Sequence, residues 1–279
     1  MKNPLNYGPL LLLAFALTSG PSQAEEQVDL IYSTAAGEEL KLDLGVPDGP
    51  GPFPVCILVH GGGFGAGDKR GMIKPLAAPL QQAGYAWISI NYRLAPAHKY
   101  PASVEDLETA IRWVKTHAAA YRFDPTRIVL IGSSAGGYLV NKVGTQNRKD
   151  TRVAAVVNFY GAADQVARFD ETGGNPSQSF VNYFGVSEDT PATRKFLAEA
   201  SPVTYVRPGL PPFLLLHGDA DKRVPYEQSV VFQARLREAG VPVELITIKD
   251  GKHGMAAWSR NGSDFTERMI RWMNQTLAR

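Results

Sequence analysis

One stretch, residues 128–137, constrains the fold more than any other part of this sequence. Residues 128–131 are branched and apolar, which is typical of a strand buried in a parallel sheet. The Gly-x-Ser-x-Gly pattern at 132–136 follows at once, and residues 138–142 are compatible with a helix. A serine at the apex of a strand, a tight turn and a helix is the arrangement of a nucleophile elbow. Ser134 is therefore the candidate nucleophile, and the flanking glycines are needed because a Cβ there would collide with the neighbouring strand and helix.

Apolar runs that predict strands alternate with helical patterns along the rest of the chain. Strands are predicted at residues 28–32, 40–46, 55–59, 86–92, 128–131, 153–160, 213–216 and 243–248, the first two as an antiparallel hairpin. Helices are predicted from residue 103 and over 228–239, 264–277 and 72–83, where Pro75 and Pro79 should interrupt the last of these. The alternation predicts an α/β fold, with a mostly parallel eight-stranded sheet and helices on both faces.

The bulk composition limits the domain count and the partners. A chain of 279 residues, 44% of them hydrophobic and without internal repeats or a linker, suits one domain. The formal net charge is +2 and Lys and Arg form no dense run, so we expect no nucleic-acid partner. The single cysteine, Cys56, leaves no internal disulfide and lies in an apolar run, where burial is expected.

Residues 1–24 have the layout of a secretory signal peptide. Lys2 gives a positive start, residues 10–17 form an apolar core, and small residues precede Ala24. The core is too short to be a permanent membrane anchor. We expect cleavage after Ala24, a mature domain of residues 25–279 without a stable membrane anchor, and a periplasmic or secreted location.

Four glycine-rich turns come directly after predicted strands, behind Val59, Ile131, Leu216 and Ile248. Because the carboxyl ends of parallel strands meet at one edge of a sheet, these turns are expected to form one site.

A serine hydroxyl is a weak nucleophile at neutral pH, so Ser134 requires an imidazole. Among the five histidines, His253 is the candidate base, since it lies in a Gly-flanked loop after the last strand and gives the chain order Ser, Asp, His. The turn after strand 213–216 offers two carboxylates to orient it. Asp221 is favoured, whereas Asp219 is expected to cap the turn through its side chain.

The glycines after the strand at 55–59 let backbone N–H groups approach a substrate. Gly62 and Gly63, together with the N–H of Ala135, are the candidate oxyanion donors. The competing interpretation, a phosphate-binding loop, lacks both the Gly-Lys-Ser/Thr ending and the GxGxxG spacing. No HxxxH pattern or carboxylate pair at ligand spacing occurs, so no metal or other cofactor is expected.

Five motifs stand in the order that α/β-hydrolase esterases have: HGGGF at 60–64, NYRLAP at 91–96, GSSAG at 132–136, HGDAD at 217–221 and HG at 253–254. From about residue 28 onward, the chain resembles the hormone-sensitive-lipase-type and BD-FAE-type (feruloyl or acetyl-xylan esterase-like) group. The resemblance implies an α/β-hydrolase fold and the same roles for the residues named above. It further implies a buried ion pair between Arg93 and Asp106, the alternative being an exposed Arg93. The short segment before the HGGG strand favours the BD-FAE-like layout over the lipase type, which carries a long N-terminal helical cap.

Residues 161–209 lack clear periodicity and are predicted as an insertion over the site, a lid or cap. Its aromatic residues would either shape an acyl pocket or form the core of the lid: Phe169, Phe180, Tyr183 and Phe184. The expected function is a secreted serine carboxylic-ester hydrolase acting on small or polysaccharide-linked esters, with short-chain, aryl or acylated-carbohydrate groups. The alternatives are a prolyl-oligopeptidase-type serine peptidase, which usually adds a propeller of repeats, and a non-catalytic binding protein on a hydrolase fold, which typically loses the serine or the histidine.

Overall fold

The computed structural model describes residues 25–71, 74–260 and 264–278, so the signal peptide predicted at 1–24 lies outside the described residues. Eight strands form one sheet in the order β1-β2-β4-β3-β5-β6-β7-β8. Only β2 runs antiparallel to its neighbours, and every other pair is parallel. The predicted mostly parallel sheet is confirmed. Its strands are β1 (Glu25–Ala35), β2 (Glu38–Val46), β3 (Phe53–Val59), β4 (Ala86–Ile90), β5 (Phe123–Ser133), β6 (Ala155–Phe159), β7 (Phe213–Gly218) and β8 (Val243–Ile248).

Helices cover both faces of this sheet, as predicted. The described helices are α1 (Ala77–Gln82), α2 (Ala102–Thr116), α3 (Ala118–Tyr121), α4 (Ala135–Gln146), α5 (Gln165–Asp170), α6 (Gln178–Phe184), α7 (Pro191–Ala200), α8 (Glu227–Glu238), α9 (Met255–Arg260) and α10 (Phe265–Leu277). Alternate residues of β3 enter two cores, because successive side chains of a strand point to opposite faces. Val55 and Ile57 pack in the core that holds α2 and α4, whereas Cys56 and Leu58 pack in the core that holds α1 and α10. In the three described ranges, no helix has the length and apolarity needed to cross a bilayer.

Most predicted elements differ from the observed ones in their bounds, and β1 and β5 begin earlier than predicted, at Glu25 and Phe123. Two other differences have a visible cause. The helix predicted over 72–83 begins with a 3₁₀ turn at Lys74–Leu76, and α1 starts only at Ala77, which puts Pro79 in the first turn, where a missing N–H costs nothing. Residues 72 and 73 lie outside the described ranges. The strand predicted over 86–92 ends at Ile90, because Tyr92 already turns away to place its hydroxyl on the carbonyl of His60.

The insertion at 161–209 is more regular than its sequence suggested. It contains α5, α6, α7 and a 3₁₀ turn at Pro202–Tyr205. Each of the three α-helices begins behind a side-chain cap, because Asp164, Ser177 and Thr190 accept the N–H of the residue three positions on. Short helices have too few turns to show a periodic hydrophobic pattern, so the sequence predicted no helix in this segment.

Most of the aromatic residues of the insertion belong to the core. Phe169, Tyr183 and Phe184 are buried, and only Phe180 is half-exposed. The ring of Tyr183 stacks on Phe64 of the HGGGF motif, with centroids 3.8 Å apart. The aromatic residues therefore fix the insertion on the domain, and Phe180 alone among them lines the cavity beside Ser134.

Hydrogen bonds join the insertion to α4, the helix behind Ser134. The hydroxyl of Tyr138 donates to the carbonyl of Ala200 at 3.0 Å. The ammonium of Lys142, which is fully buried, donates to the carbonyl of Glu199 at 2.6 Å. Downstream of α7, Arg207 donates to the carbonyl of Thr145 at 2.7 Å, and so satisfies one of the last carbonyls of α4.

Candidate active site

Ser134 occupies a strained turn between β5 and α4. Its φ of 55° and ψ of −115° are unfavourable for a residue with a Cβ, so the surrounding structure must impose them. The serine N–H donates to the carbonyl of Phe159 on β6 at 2.9 Å, which holds the turn. A Cβ on Gly136 would collide with the carbonyl of Val59 on β3, and one on Gly132 with the carbonyl of Gly136. The steric reason inferred for the glycines is confirmed.

The structure brings Ser134, His253 and Asp221 into one hydrogen-bonded row. His253 follows β8 and lies 2.9 Å from the serine Oγ through Nε2. Its Nδ1 lies 2.6 Å from Oδ2 of Asp221. Because a carboxylate can only accept, Nδ1 carries the proton and Nε2 is free to accept the serine hydroxyl. His253 is 32 positions from Asp221 and 119 positions from Ser134 along the chain, yet the fold arranges the three side chains for proton transfer from the serine.

The carboxylate of Asp221 is buried and fully bonded. Its Oδ1 accepts the N–H groups of Arg223 at 2.8 Å and Val224 at 3.1 Å. Burial alone would raise its pKa, but hydrogen bonds from His217, His253 and the backbone outweigh that cost and hold the pKa below its usual range. The carboxylate is therefore charged at neutral pH.

Asp219 does not share this role. It is exposed, and its side chain makes no hydrogen bond with any residue in the described ranges. The expectation that Asp219 caps the turn was wrong. Asp221 makes those contacts itself, with one oxygen on the turn and the other on the imidazole.

Two supporting residues escaped the sequence reasoning. His217, buried at the end of β7, lies 2.9 Å from the carbonyl of Val224 through Nε2 and 2.7 Å from the hydroxyl of Ser229 through Nδ1. The carbonyl of Val224 can only accept, so Nε2 of His217 carries the proton and the hydroxyl of Ser229 donates to Nδ1. His217 thereby stabilises the turn that carries Asp221. Tyr160 packs edge-on against His253 with centroids 4.6 Å apart. Burial raises the pKa of Tyr160 to about 12, so the ring that packs against His253 is uncharged at neutral pH.

The three candidate oxyanion donors lie near Ser134 with different exposures. The N–H groups of Gly62, Gly63 and Ala135 make no hydrogen bond with the described part of the chain. Ala135 is the first residue of α4, where N–H groups lack an intrahelical partner. Gly63 and Ala135 line the cavity with Ser134, whereas Gly62 is exposed and does not line it. Gly62 has φ of 120°, which L-residues with a side chain rarely adopt, and its carbonyl accepts the N–H of Ala66.

The loop that carries the candidate oxyanion donors Gly62 and Gly63, residues 60–69, is fixed to the sheet at both ends. The ring of His60 stacks on Tyr92 with centroids 4.3 Å apart, and burial lowers the pKa of His60. At the far end, the buried ammonium of Lys69 pairs with Asp43 at 2.6 Å and Asp29 at 2.7 Å. The backbone N–H of Lys69 donates to the side chain of Asn91 at 2.8 Å.

The ion pair implied by the resemblance is present. The guanidinium of Arg93 lies 2.8 Å from Asp106, whose side chain is 3% exposed, and the backbone N–H of Arg93 donates to the same carboxylate at 2.8 Å. The alternative of an exposed Arg93 is wrong, since its side chain is only 13% exposed. This pair ties the NYRLAP turn to α2.

A cavity of about 340 Å³ opens beside Ser134. Its size lies within the range of small-molecule sites. Phe64, Tyr138 and Phe180 supply apolar surface, and Ser177 and Ser179 supply hydroxyls. The remaining residues of its wall are Gly63, Ser134, Ala135, Ala162, Gln165, Arg168, Arg223, Val224 and His253. Over the described ranges, no three His, Cys, Asp or Glu side chains lie close enough to hold a metal ion.

The sheet order and the strained serine between β5 and α4 define an α/β hydrolase. A solved structure described as the truncated form of a carbohydrate esterase from gut microbiota matches with a TM-score of 0.80 at 25% identity, over 91% of this chain and 97% of that chain. The acetyl ester-xyloside bifunctional hydrolase from Caldicellulosiruptor lactoaceticus matches with a TM-score of 0.73 at 28% identity, over 85% of this chain and 88% of that chain.

The BD-FAE family model matches residues 42–236, and the chain belongs to this family. The probable carboxylic ester hydrolase LipM of Mycobacterium tuberculosis is 34% identical over 198 residues, which are 67% of this chain and 46% of LipM. The chain spans about half the length of the curated relatives that it matches first. The resemblance inferred from the motifs is confirmed.

Proposed function

We propose that the protein is a serine carboxylic ester hydrolase that acts through an acyl-enzyme on Ser134. The main support is the hydrogen-bonded row of Ser134, His253 and Asp221 beside a cavity. The relative LipM is a probable carboxylic ester hydrolase, which agrees with this chemistry. The reaction requires water and no cofactor.

In the first half of the proposed reaction, the Oγ of Ser134 attacks the ester carbonyl carbon as its proton passes to Nε2 of His253. The charged carboxylate of Asp221 stabilises the imidazolium that forms. The carbonyl oxygen becomes an oxyanion, for which Ala135 and Gly63 offer unpartnered N–H groups at the cavity wall. Gly62 is the third candidate donor and also shapes the turn that presents Gly63.

In the second half, the ester C–O bond breaks and the alcohol leaves with the proton from His253. A water molecule then attacks the acyl-enzyme and gives one proton to the same imidazole. The carbon–Oγ bond breaks, the proton returns to Ser134, and a carboxylic acid leaves. Each proton therefore passes through Nε2 of His253.

The proposed substrates are short-chain, aryl or acylated-carbohydrate esters. A cavity of about 340 Å³ accommodates a small acyl group, and the rings of Phe64, Tyr138 and Phe180 supply an apolar surface for it. The hydroxyls of Ser177 and Ser179 suit a polar alcohol. Two structural relatives are described as a carbohydrate esterase and an acetyl ester-xyloside hydrolase, which supports the carbohydrate option. A panel of acetyl, butyryl, octanoyl and feruloyl esters would rank these classes.

Export to the periplasm or the medium is part of the proposal and rests on residues 1–24. Full-length protein expressed in a Gram-negative host should appear outside the cytoplasm with Glu25 as its first residue. N-terminal sequencing of the recovered protein tests this, and an intact N-terminus in the cytoplasm would contradict it.

The catalytic assignment is tested with para-nitrophenyl acetate. The wild type should hydrolyse it and bind a fluorophosphonate probe at Ser134, and Ser134→Ala should lose both. Full activity in Ser134→Ala, or probe on another serine, would refute the assignment. Faster cleavage of a proline para-nitroanilide than of the ester would favour the peptidase alternative.

A further inference from the structure

Two arginines lie in the cavity wall, and their charges are compensated differently. Arg168 on α5 pairs with Glu171 at 2.7 Å and donates to the carbonyl of Arg223 at 2.9 Å. The guanidinium of Arg223, in contrast, makes no hydrogen bond or ion pair with any residue in the described ranges. Arg223 is exposed, and no Asp or Glu of the described residues lines the cavity. The cavity wall thus presents a guanidinium that forms no ion pair with a carboxylate of the described residues.

The position of Arg223 in the turn places it on the alcohol side of the reaction. Its backbone N–H donates to Asp221, which contacts His253, and His253 must deliver a proton to the departing alcohol. The oxyanion donors come from a different part of the wall, the loop at Gly63 and the start of α4. A negative group reached by Arg223 therefore belongs to the alcohol portion of the ester.

We propose that the site takes esters whose alcohol portion carries a carboxylate, such as an acylated hydroxy acid or an acylated acidic sugar. Arg223 binds the carboxylate through its planar guanidinium. The inference rests on the proposed ester hydrolysis at Ser134. The ester bond breaks as described above, and the carboxylate of the alcohol leaves unchanged.

A matched pair of esters tests the charge preference. The wild type should have a kcat/KM about fivefold higher for meta-acetoxybenzoate than for the uncharged, equally sized meta-acetoxybenzamide, as a partly exposed ion pair provides. Arg223→Gln should abolish this ratio, and Arg223→Lys should keep part of it. Lys222→Gln is the matched control, because it removes one charge from the same exposed turn at a residue that does not line the cavity. Its ratio should equal that of the wild type.

The source of the carboxylate is distinguished with acetylated methyl glucuronoside and acetylated methyl glucoside, by following acetate release. If kcat/KM is higher for the glucuronoside than for the glucoside, and Arg223→Gln removes this difference, the natural substrates are acylated acidic sugars. If only the benzoate pair shows a preference that depends on Arg223, the substrates are smaller acylated hydroxy acids. An unchanged ratio in Arg223→Gln for both pairs would overturn the proposal. An equal loss of the ratio in Lys222→Gln would also overturn it, because the preference would then come from the overall positive charge of the turn and not from a contact with Arg223.

Binding separates this inference from the proposed hydrolysis. In a Ser134→Ala background, calorimetry should show tighter binding of meta-hydroxybenzoate than of meta-hydroxybenzamide, by about fivefold. Adding Arg223→Gln should remove the difference, and adding Lys222→Gln should not. If no ester is hydrolysed but this difference appears, the function fails and the carboxylate site stands. If esters are hydrolysed and the difference in binding is absent, the proposed function stands and the carboxylate site fails.

Discussion

Replacing Asp221 with asparagine should invert the tautomer of His253 while leaving the acid turn intact. In the native protein, Oδ1 accepts the N–H groups of Arg223 and Val224, and Oδ2 accepts the Nδ1 proton at 2.6 Å. Because both backbone donors are fixed, the asparagine oxygen should take the Oδ1 position and its NH₂ group should face Nδ1. The imidazole must then carry its proton on Nε2, where it cannot accept the proton of Ser134.

The wrong tautomer costs about 10⁴-fold in kcat in a serine protease, which corresponds to roughly 5.5 kcal/mol of transition-state stabilisation. Since both hydrogen bonds of the turn remain, we expect the Tm to change by no more than about 4 °C. Initial rates with para-nitrophenyl acetate, together with thermal unfolding, measure both quantities. Asp219→Asn is the matched control and should behave as the wild type. An Asp221→Asn variant with more than about a tenth of the wild-type kcat, or a greater loss in Asp219→Asn, would refute this reasoning.

Three further variants test the loop, the ion pair and the buried lysine. Gly62→Ala should lower kcat at least about 100-fold, since its Cβ would collide with the carbonyl of Ala66 and displace the oxyanion loop; a loss below about threefold on the same substrate would contradict this. Arg93→Met leaves the buried carboxylate of Asp106 unpaired and should cost about 3 kcal/mol in urea unfolding, whereas a cost below about 1 kcal/mol would show that the pair is weak. Burial lowers the pKa of Lys142 to about 7, so above that pH the unfolded chain binds more protons than the folded one, and stability should rise with pH toward the ordinary lysine pKa near 10. The free energy of unfolding of the wild type minus that of Lys142→Met, measured in urea at several pH values, should therefore increase between about pH 7 and 9, and a constant difference would exclude this titration.

The sequence predicted the central strands well because they are buried on both faces. In β5, residues 128–131 are apolar without interruption, and a run of this length favours a strand over a helix. The helices α5, α6 and α7 were missed because each is short and depends on a cap and on packing. Their signals were single residues, Asp164, Ser177 and Thr190, which are equally common in loops.

Some residues of the candidate site could be predicted from local sequence patterns, whereas others depend on the tertiary structure. Ser134 and His253 follow from glycine-flanked turns at strand ends, which are local patterns. Asp221 and Asp219 differ only in which side chain the turn directs inward, and two backbone N–H groups decide this. Arg223 had no signal in the sequence, because a cavity wall made by segments far apart along the chain becomes visible only after folding.

The attachment of the insertion to α4 has a consequence for how substrate arrives. Swinging residues 161–209 away as a hinged flap would break the bonds from Tyr138 and Lys142 to the end of α7, and would leave the buried amino group of Lys142 without its carbonyl acceptor. Such an opening is costly, so molecules should enter one at a time through the existing mouth. Rates should then saturate with dissolved substrate and show no jump when an ester begins to form droplets. Activation at an oil–water interface, which depends on a moving cover, is therefore not expected of this protein.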